Sequence, residues 1–239
     1  VNPIPDVDKD NLTVGFNYFI EPGKKVYVRR ISFVGNEKTQ DKVLRREMRQ
    51  FESSYYDKQK IDQSTRRLKR TQYFEGVDIK TVSVPGISDQ VDLTVAVKEK
   101  NTGSVKLGAG ASSDEGLVGS FSVTQANFLG TGNTVSATIN TSSVNTVYSL
   151  SHIDPYFTLD VISRRLTAYL KETNTKDLDT GQYNKDSYGL GVGFGVPMNE
   201  FDTVNIGFDV DVSKIKLVES SPTRYKDYCK EVSLSLIHI

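Results

Sequence analysis

Residues Tyr188 to Val196 read Tyr-Gly-Leu-Gly-Val-Gly-Phe-Gly-Val, so large apolar residues alternate strictly with glycines. A period of two is that of a β-strand, not of a helix. One face of this strand is a continuous apolar stripe and the other has no side chains. Val204, Ile206, Phe208, Val210 and Val212 repeat the pattern, alternating with Asn205, Gly207, Asp209 and Asp211. An apolar face opposite an acidic, glycine-rich face suits a sheet with lipid on one side and a wet lumen on the other.

The totals agree with that reading. The 239 residues suffice for one large domain or two ordinary ones. Hydrophobic residues make up 37%, below the usual globular share, as expected when only alternate residues meet lipid. No run approaches the roughly 18 apolar residues of a membrane helix. A formal net charge of zero gives no bulk electrostatic argument for nucleic acid. Cys229 is the single cysteine, so neither a disulfide framework nor a cysteine metal cluster is expected. The chain begins Val1-Asn2-Pro3 without a basic head and apolar core, and it ends in an alternating stretch. It therefore reads as an excerpt of a longer protein, and the native status of the residues after Val232 stays open.

Taken in order, residues 1–23 are expected to carry one strand, about Thr13 to Ile20, the last of a preceding module. Residues 24–100 form a separate unit. Val26 to Val34 alternates as a strand and Gly35-Asn36 ends it. Thr39 is placed to cap a helix with Asp41 in its first turn and Leu44, Met48 and Phe51 as its buried stripe. A second helix starts near Asp57, with Ile61 and Leu68 inward. Strands follow at Val77–Val82 and, after Pro85-Gly86, at Val91–Val97. The order β-α-α-β-β predicts a small α+β domain with both helices on one sheet face.

From Asn101 onward only strands and turns are expected: about Ser104–Ala111, Leu117–Gln125, Thr134–Asn140, Thr146–Ile153, Arg165–Lys171 and the two opening stretches. An eighth begins near Lys230. Short turns at 128–133 and 197–200 and long polar connections at 174–182 and 214–229 predict short turns at one end of the sheet and longer loops at the other. The fold class is thus an α+β unit followed by an antiparallel transmembrane β-barrel, present as an incomplete curved sheet of seven or eight strands. Its first strand should lie at one edge, and the piece should need detergent.

Four stretches carry a family resemblance: Lys25 to Asn36 (KVYVRRISFVGN), Val43 to Gln50 (VLRREMRQ), Lys98 to Ser104 (KEKNTGS), and Asn127 to Gly132 (NFLGTG) together with Asp154 to Phe157 (DPYF). The βααββ unit resembles a POTRA domain. The whole chain resembles the Omp85 family of outer-membrane barrel assembly factors, from the end of one POTRA domain (1–23) through the next (24–100) into the N-terminal half of the barrel (101–239). The resemblance implies an outer-membrane location with the POTRA domain in the periplasm. It implies a role in folding and inserting outer-membrane proteins, without catalysis, cofactor or metal. The implied partners are unfolded outer-membrane clients, membrane lipid, and a BamD-like lipoprotein with other lipoproteins of the machine.

In the family the first barrel strand pairs weakly with the last and forms a lateral gate; here that strand is Gly103, Ser104, Val105, Lys106, Leu107, Gly108, Ala109 and Gly110. Glycine weakens a strand, and a weak edge is what strand addition needs. Glycines facing a lumen can equally relieve crowding, and the residues leave both readings open. The resemblance places Arg45 and Glu52, seven apart and expected on one helix face, at the lipoprotein contact, with Arg46 and Arg49 able to substitute. A solvated charged face is the plain alternative. Phe128, Leu129, Tyr156 and Phe157 are expected to anchor turns at the membrane interface.

Enzyme signatures are missing: there is no HExxH, CxxC or phosphate-loop pattern, and the glycines at 189–195 never complete GxGxxG. Among two histidines, His152 reads as a packed residue, and Asp209 and Asp211 read as lumen-lining carboxylates. Two other readings stay open: an Omp85-type secretion pore, and a soluble β-sandwich binding module in which the apolar faces would have to meet across a core.

Overall fold

The computed structural model of the chain describes residues 2–8, 13–19, 24–113, 115–158, 160–175, 183–199, 202–217, 221, 223–224, 226–227 and 237–238. Three sheets follow one another. β1 (Asn2–Asp8) and β2 (Thr13–Phe19) form an antiparallel ribbon. The leading segment therefore carries two strands where one was expected; Pro3 and Pro5 mask the first in the sequence, and an outer strand tolerates them because proline lacks an N–H to donate.

The second sheet has the order β3-β5-β4 and carries β3 (Tyr27–Val34), β4 (Phe74–Ser83) and β5 (Gln90–Glu99). β3 and β5 run parallel, and β4 and β5 antiparallel. Two helices, α1 (Asp41–Arg45) and α2 (Lys58–Arg70), connect β3 to β4. Val28, Ile31, Val43, Leu44, Met48, Ile61, Leu68, Leu93 and Val95 close one buried core. Asp57 caps α2, its carboxylate accepting from the Gln59 and Lys60 amides.

α1 departs from expectation. It is five residues long, its N-cap is Gln40 with no side-chain bond, and Phe51 is 61% exposed instead of completing a buried stripe. Gln50 supplies the reason. Its buried amide donates to the Tyr55 carbonyl (2.9 Å) and accepts from the Asp57 amide (2.9 Å), so a folded loop replaces further helical turns.

The third sheet is antiparallel and open, in the order β13-β12-β11-β10-β9-β8-β7-β6. Its strands are β6 (Gly103–Ser112), β7 (Gly116–Phe128), β8 (Asn133–Thr141), β9 (Asn145–Asp154), β10 (Ser163–Asn174), β11 (Tyr183–Pro197), β12 (Thr203–Leu217) and the two-residue β13 (Ile237–His238). The predicted start of an eighth strand near Lys230 lies outside the described residues. Register sorts the side chains. Val105, Val123, Ala137, Leu150, Ala168, Leu190 and Val210 stand opposite one another in turn across seven strands. Leu107, Phe121, Ile139, Tyr148, Leu170, Tyr188 and Val212 form the next such row. Between them runs a polar row on the other face: Lys106, Ser122, Thr138, Ser149, Tyr169, Gly189 and Asp211.

Nothing among the described residues covers the apolar rows: Leu107 is 81% exposed and Leu190 69%. A sandwich would bury them, so the β-sandwich reading fails and a lipid-facing wall remains. On the polar face Tyr169 donates to Asp211 (2.6 Å) across β11. The Gly189 position beneath must be bare, because a methyl there would meet the Tyr169 ring. The expected contrast of turn lengths holds only in part. At the end away from the POTRA unit, the 142–144 link is as tight as any, with the Ser142 hydroxyl accepting from the Val144 and Asn145 amides.

Candidate functional site

Two surfaces and the joint between them bear on function. The first is the outer edge of β3, where the outward backbone groups of Ile31, which pairs with Leu93 of β5 on its other side, meet no described strand. Glu52 fills that place: its Oε1 accepts from the Ile31 amide at 2.8 Å. Arg45 Nη2 donates to the Ile31 carbonyl at 3.3 Å, and Arg45 Nη1 lies 3.4 Å from Glu52 Oε1. The Arg45 guanidinium also lies over the Phe33 ring, 5.1 Å from its centroid. The two residues do meet, but not along one helix face, since α1 ends at Arg45 and Glu52 sits in the loop beyond. They meet because both clamp the same backbone unit. Half of each side chain remains in solvent, beside the exposed rings of Phe51 and Tyr55.

Arg46 and Arg49 do not share that surface equally. The Arg49 amide donates to Ser64 Oγ (2.8 Å), tying the loop to α2. Arg46 turns the opposite way, its guanidinium 4.1 Å above the Tyr156 ring.

The second surface is the outer edge of β6. Residues 103–112 pair with residues 116–125 of β7 throughout. Beyond β6 no described strand follows, so its outward N–H and C=O groups have no ladder partner. The strand root is held by Thr102, whose hydroxyl donates to the Ala126 carbonyl (2.6 Å). The glycines divide. A methyl at Gly108 would press on the Ser120 hydroxyl, which could rotate away, whereas a methyl at Gly110 would meet nothing.

The joint was not foreseen in the sequence. The turn after β7 and the turn after β9 both dock on the helical side of the POTRA unit. The Gln40 amide donates to the Gly130 carbonyl (3.0 Å), Asn127 Nδ2 to Thr39 Oγ1 (2.7 Å), and the Tyr73 hydroxyl to the Gly132 carbonyl (3.0 Å). Thr39, expected as a helix cap, thus receives a barrel turn instead. Its own amide donates to Glu99 (2.7 Å), as does that of Lys38 (3.0 Å). Burial raises the Glu99 carboxyl, but these donors outweigh it and hold its pKa below the ordinary value.

Tyr156 stands at the centre. Its hydroxyl donates to Glu47 Oε1 (2.6 Å) and accepts from Arg67 Nη2 (3.0 Å), while Arg67 and Glu47 pair at 2.9 Å. Burial first, and then the bond to Glu47, push the phenol up to about 12. Tyr156 is therefore a docking residue, not a membrane anchor. Phe157, half exposed beside Phe194 and beneath Arg164, fits the interfacial role, as does Leu129. The sequence marks Glu47 and Arg67 only weakly, by a lone acid within the basic run 45–49.

Comparison with known proteins agrees with this architecture. The POTRA family, described as surface antigen variable number repeat, matches residues 26–100, and the Omp85 superfamily domain matches residues 127–236. The chain is 38% identical to the outer membrane protein assembly factor BamA of Neisseria meningitidis serogroup B over 97% of its length, covering 29% of that protein. It is 30% identical to BamA of Buchnera aphidicola over 85% of its length, covering 33% of that protein. The crystal structure of BamA from Haemophilus ducreyi lacking POTRA domains 1–3 superposes with a TM-score of 0.86 at 33% identity, covering 96% of this chain and 43% of that one. CdiB from Acinetobacter baumannii shares the fold, with a TM-score of 0.56 at 13% identity. The chain spans about a third or less of these curated relatives. It belongs to the Omp85 superfamily and joins a POTRA domain to part of an outer-membrane β-barrel.

Proposed function

We propose that the chain is a piece of the central subunit of an outer-membrane protein assembly machine, which folds and inserts β-barrel proteins. Residues 24–100 are its membrane-proximal POTRA domain in the periplasm, residues 1–23 the end of the POTRA domain before it, and residues 101–239 the first half of its barrel. β6 is one side of a lateral gate to which a client strand adds, and the Arg45–Glu52 clamp is the contact for a BamD-like lipoprotein. The observation that carries the assembly reading is a POTRA unit docked on an antiparallel sheet whose apolar face no described residue covers; the gate is assigned to β6 because it is the first strand of that sheet and forms one edge of it. Strand addition needs such an edge, because backbone hydrogen bonds are what it offers a client.

A photo-crosslinking residue placed at Leu107 or at Leu150 of the full-length protein tests this during client assembly. Adducts with the client's terminal strand at Leu107, and none at Leu150 in the middle of the sheet, are expected. Equal yields at both positions would refute a gate at β6.

A further inference from the structure

Most of the joint between the POTRA unit and the barrel is internally satisfied, but one cavity in it is not. It has a volume of about 230 Å³ and lies between the C-terminal end of α2 and the turn after β9. Three arginines line it, Arg46, Arg67 and Arg70, against a single acid, Glu47. Glu47 is already taken by Arg67 and the Tyr156 hydroxyl. Among the described residues neither Arg46, whose guanidinium lies over the Tyr156 ring, nor Arg70 has an ion pair. The buried Nε atoms of Arg46 and Arg67 have no acceptor. The recess thus gathers the guanidinium groups of Arg46 and of the solvent-exposed Arg70 with no acid of their own among the described residues, and the buried Nε donors beside them are of a kind that ordinarily finds acceptors.

We infer that this cavity binds the phosphate of an anionic phospholipid from the periplasmic leaflet. Arginine forks match phosphate oxygens in charge and geometry. The position favours a lipid source. The turns flanking the cavity carry Leu129, 78% exposed, and the half-exposed Phe128 and Phe157, which mark the edge of the apolar belt where headgroups lie. A headgroup seated there would bridge the POTRA helix to the barrel turn and draw Arg46 and Arg70 together. The inference rests on the sheet spanning a bilayer.

The test uses the full-length protein in nanodiscs of phosphatidylcholine with or without phosphatidylglycerol, beside an Arg46→Gln/Arg70→Gln variant and the milder Arg70→Gln. Insertion into nanodiscs is checked first; failure there refutes the membrane reading rather than the site. Native mass spectrometry then counts retained lipid. The expected result is phosphatidylglycerol held by the unaltered protein, released at least tenfold more readily by the double variant and severalfold by Arg70→Gln. Equal retention by all three proteins overturns the inference. Displacement of the lipid by millimolar inorganic phosphate assigns the cavity to free phosphate and overturns the lipid source. Loss of lipoprotein co-purification in the variants, with lipid retention unchanged, assigns it to a partner's carboxylate and overturns it as well.

Discussion

β5 and β12 are both strands of alternating residues, yet one is the centre of a core and the other has none. Leu93 and Val95 on β5 have no exposed surface, whereas Phe208 on β12 is 64% exposed. In the POTRA unit the apolar face of the sheet meets helices, so burial is complete within one small domain. In the barrel wall the apolar rows run across seven strands and meet no other described element. The difference teaches that alternation fixes the strand but not its solvent. What identifies the solvent is what the apolar residues meet: those of β5 pack into the core with the helices, while those of β12 are covered by no described residue.

The largest expected effect contrasts those two faces directly. Leu93→Ala should cost about 2–5 kcal/mol, because the surrounding core cannot collapse into the space left. Leu190→Ala should cost less than half as much, since lipid chains flow into the gap and no cavity persists. Chemical denaturation of the vesicle-inserted protein, followed separately for the POTRA unit and the barrel, measures both. Comparable losses at the two sites would mean that something covers the outer face of the sheet.

Glycines sharpen the contrast between joint and edge. Gly130 has φ +72° and faces the Lys38 carbonyl, so Gly130→Ala strains the turn and collides with the POTRA backbone. A loss of more than about 1 kcal/mol is expected there. Gly110 on β6 has an ordinary extended backbone and open space around it, so Gly110→Ala should be neutral or stabilise the strand by up to about 1 kcal/mol. If the gate reading is right, that gain in strand order comes with slower client assembly. Thermal unfolding and an assembly assay on the same two variants decide it.

Much of the architecture was legible because period carries it. Every strand from β6 to β12 announces itself by alternation, and α2 by Asp57, Ile61 and Leu68. The joint was not legible. Tyr156 looked like an interfacial aromatic because the sequence places it after a strand end and beside proline, and nothing local tells a membrane surface from a POTRA helix. Its partners Glu47 and Arg67 lie 109 and 89 residues away. Arg45 and Arg46 adjoin in sequence and face opposite surfaces, which helical spacing could not reveal because the helix ends between them. Gln50 ends it by claiming the loop's backbone groups, a role that no spacing rule assigns to a glutamine.

The joint also has a pH signature. With its pKa raised from the ordinary 10 to about 12, Tyr156 favours the docked state while its phenol is neutral. Its contribution is fully present below pH 10 and is lost as pH rises from 10 to 12. Tyr156→Phe should cost about 1–3 kcal/mol at neutral pH, since Glu47 and Arg67 each lose a partner. It should also flatten the alkaline dependence of POTRA docking, read from the distance between spin labels on α2 and β10. A variant that keeps the wild-type alkaline profile would place the titrating group elsewhere.

The smallest effect on stability is expected at the Arg45–Glu52 clamp, and there the comparison is between a surface and a joint made of the same residue types. Both Arg45–Glu52 and Arg67–Glu47 are arginine–glutamate pairs. The first is half in solvent at 3.4 Å and the second mostly buried at 2.9 Å. Exposed pairs contribute about 0–1 kcal/mol, so Arg45→Ala should barely move the unfolding midpoint. Glu52→Ala should move it slightly more, because the Ile31 amide loses its acceptor and must turn to water. If the clamp is a partner contact, both variants should nevertheless lose lipoprotein co-purification from membranes, whereas Glu47→Ala should lose POTRA docking and keep the lipoprotein. Loss of the lipoprotein with Glu47→Ala but not with Arg45→Ala would move the partner surface from the outer edge of β3 to the joint.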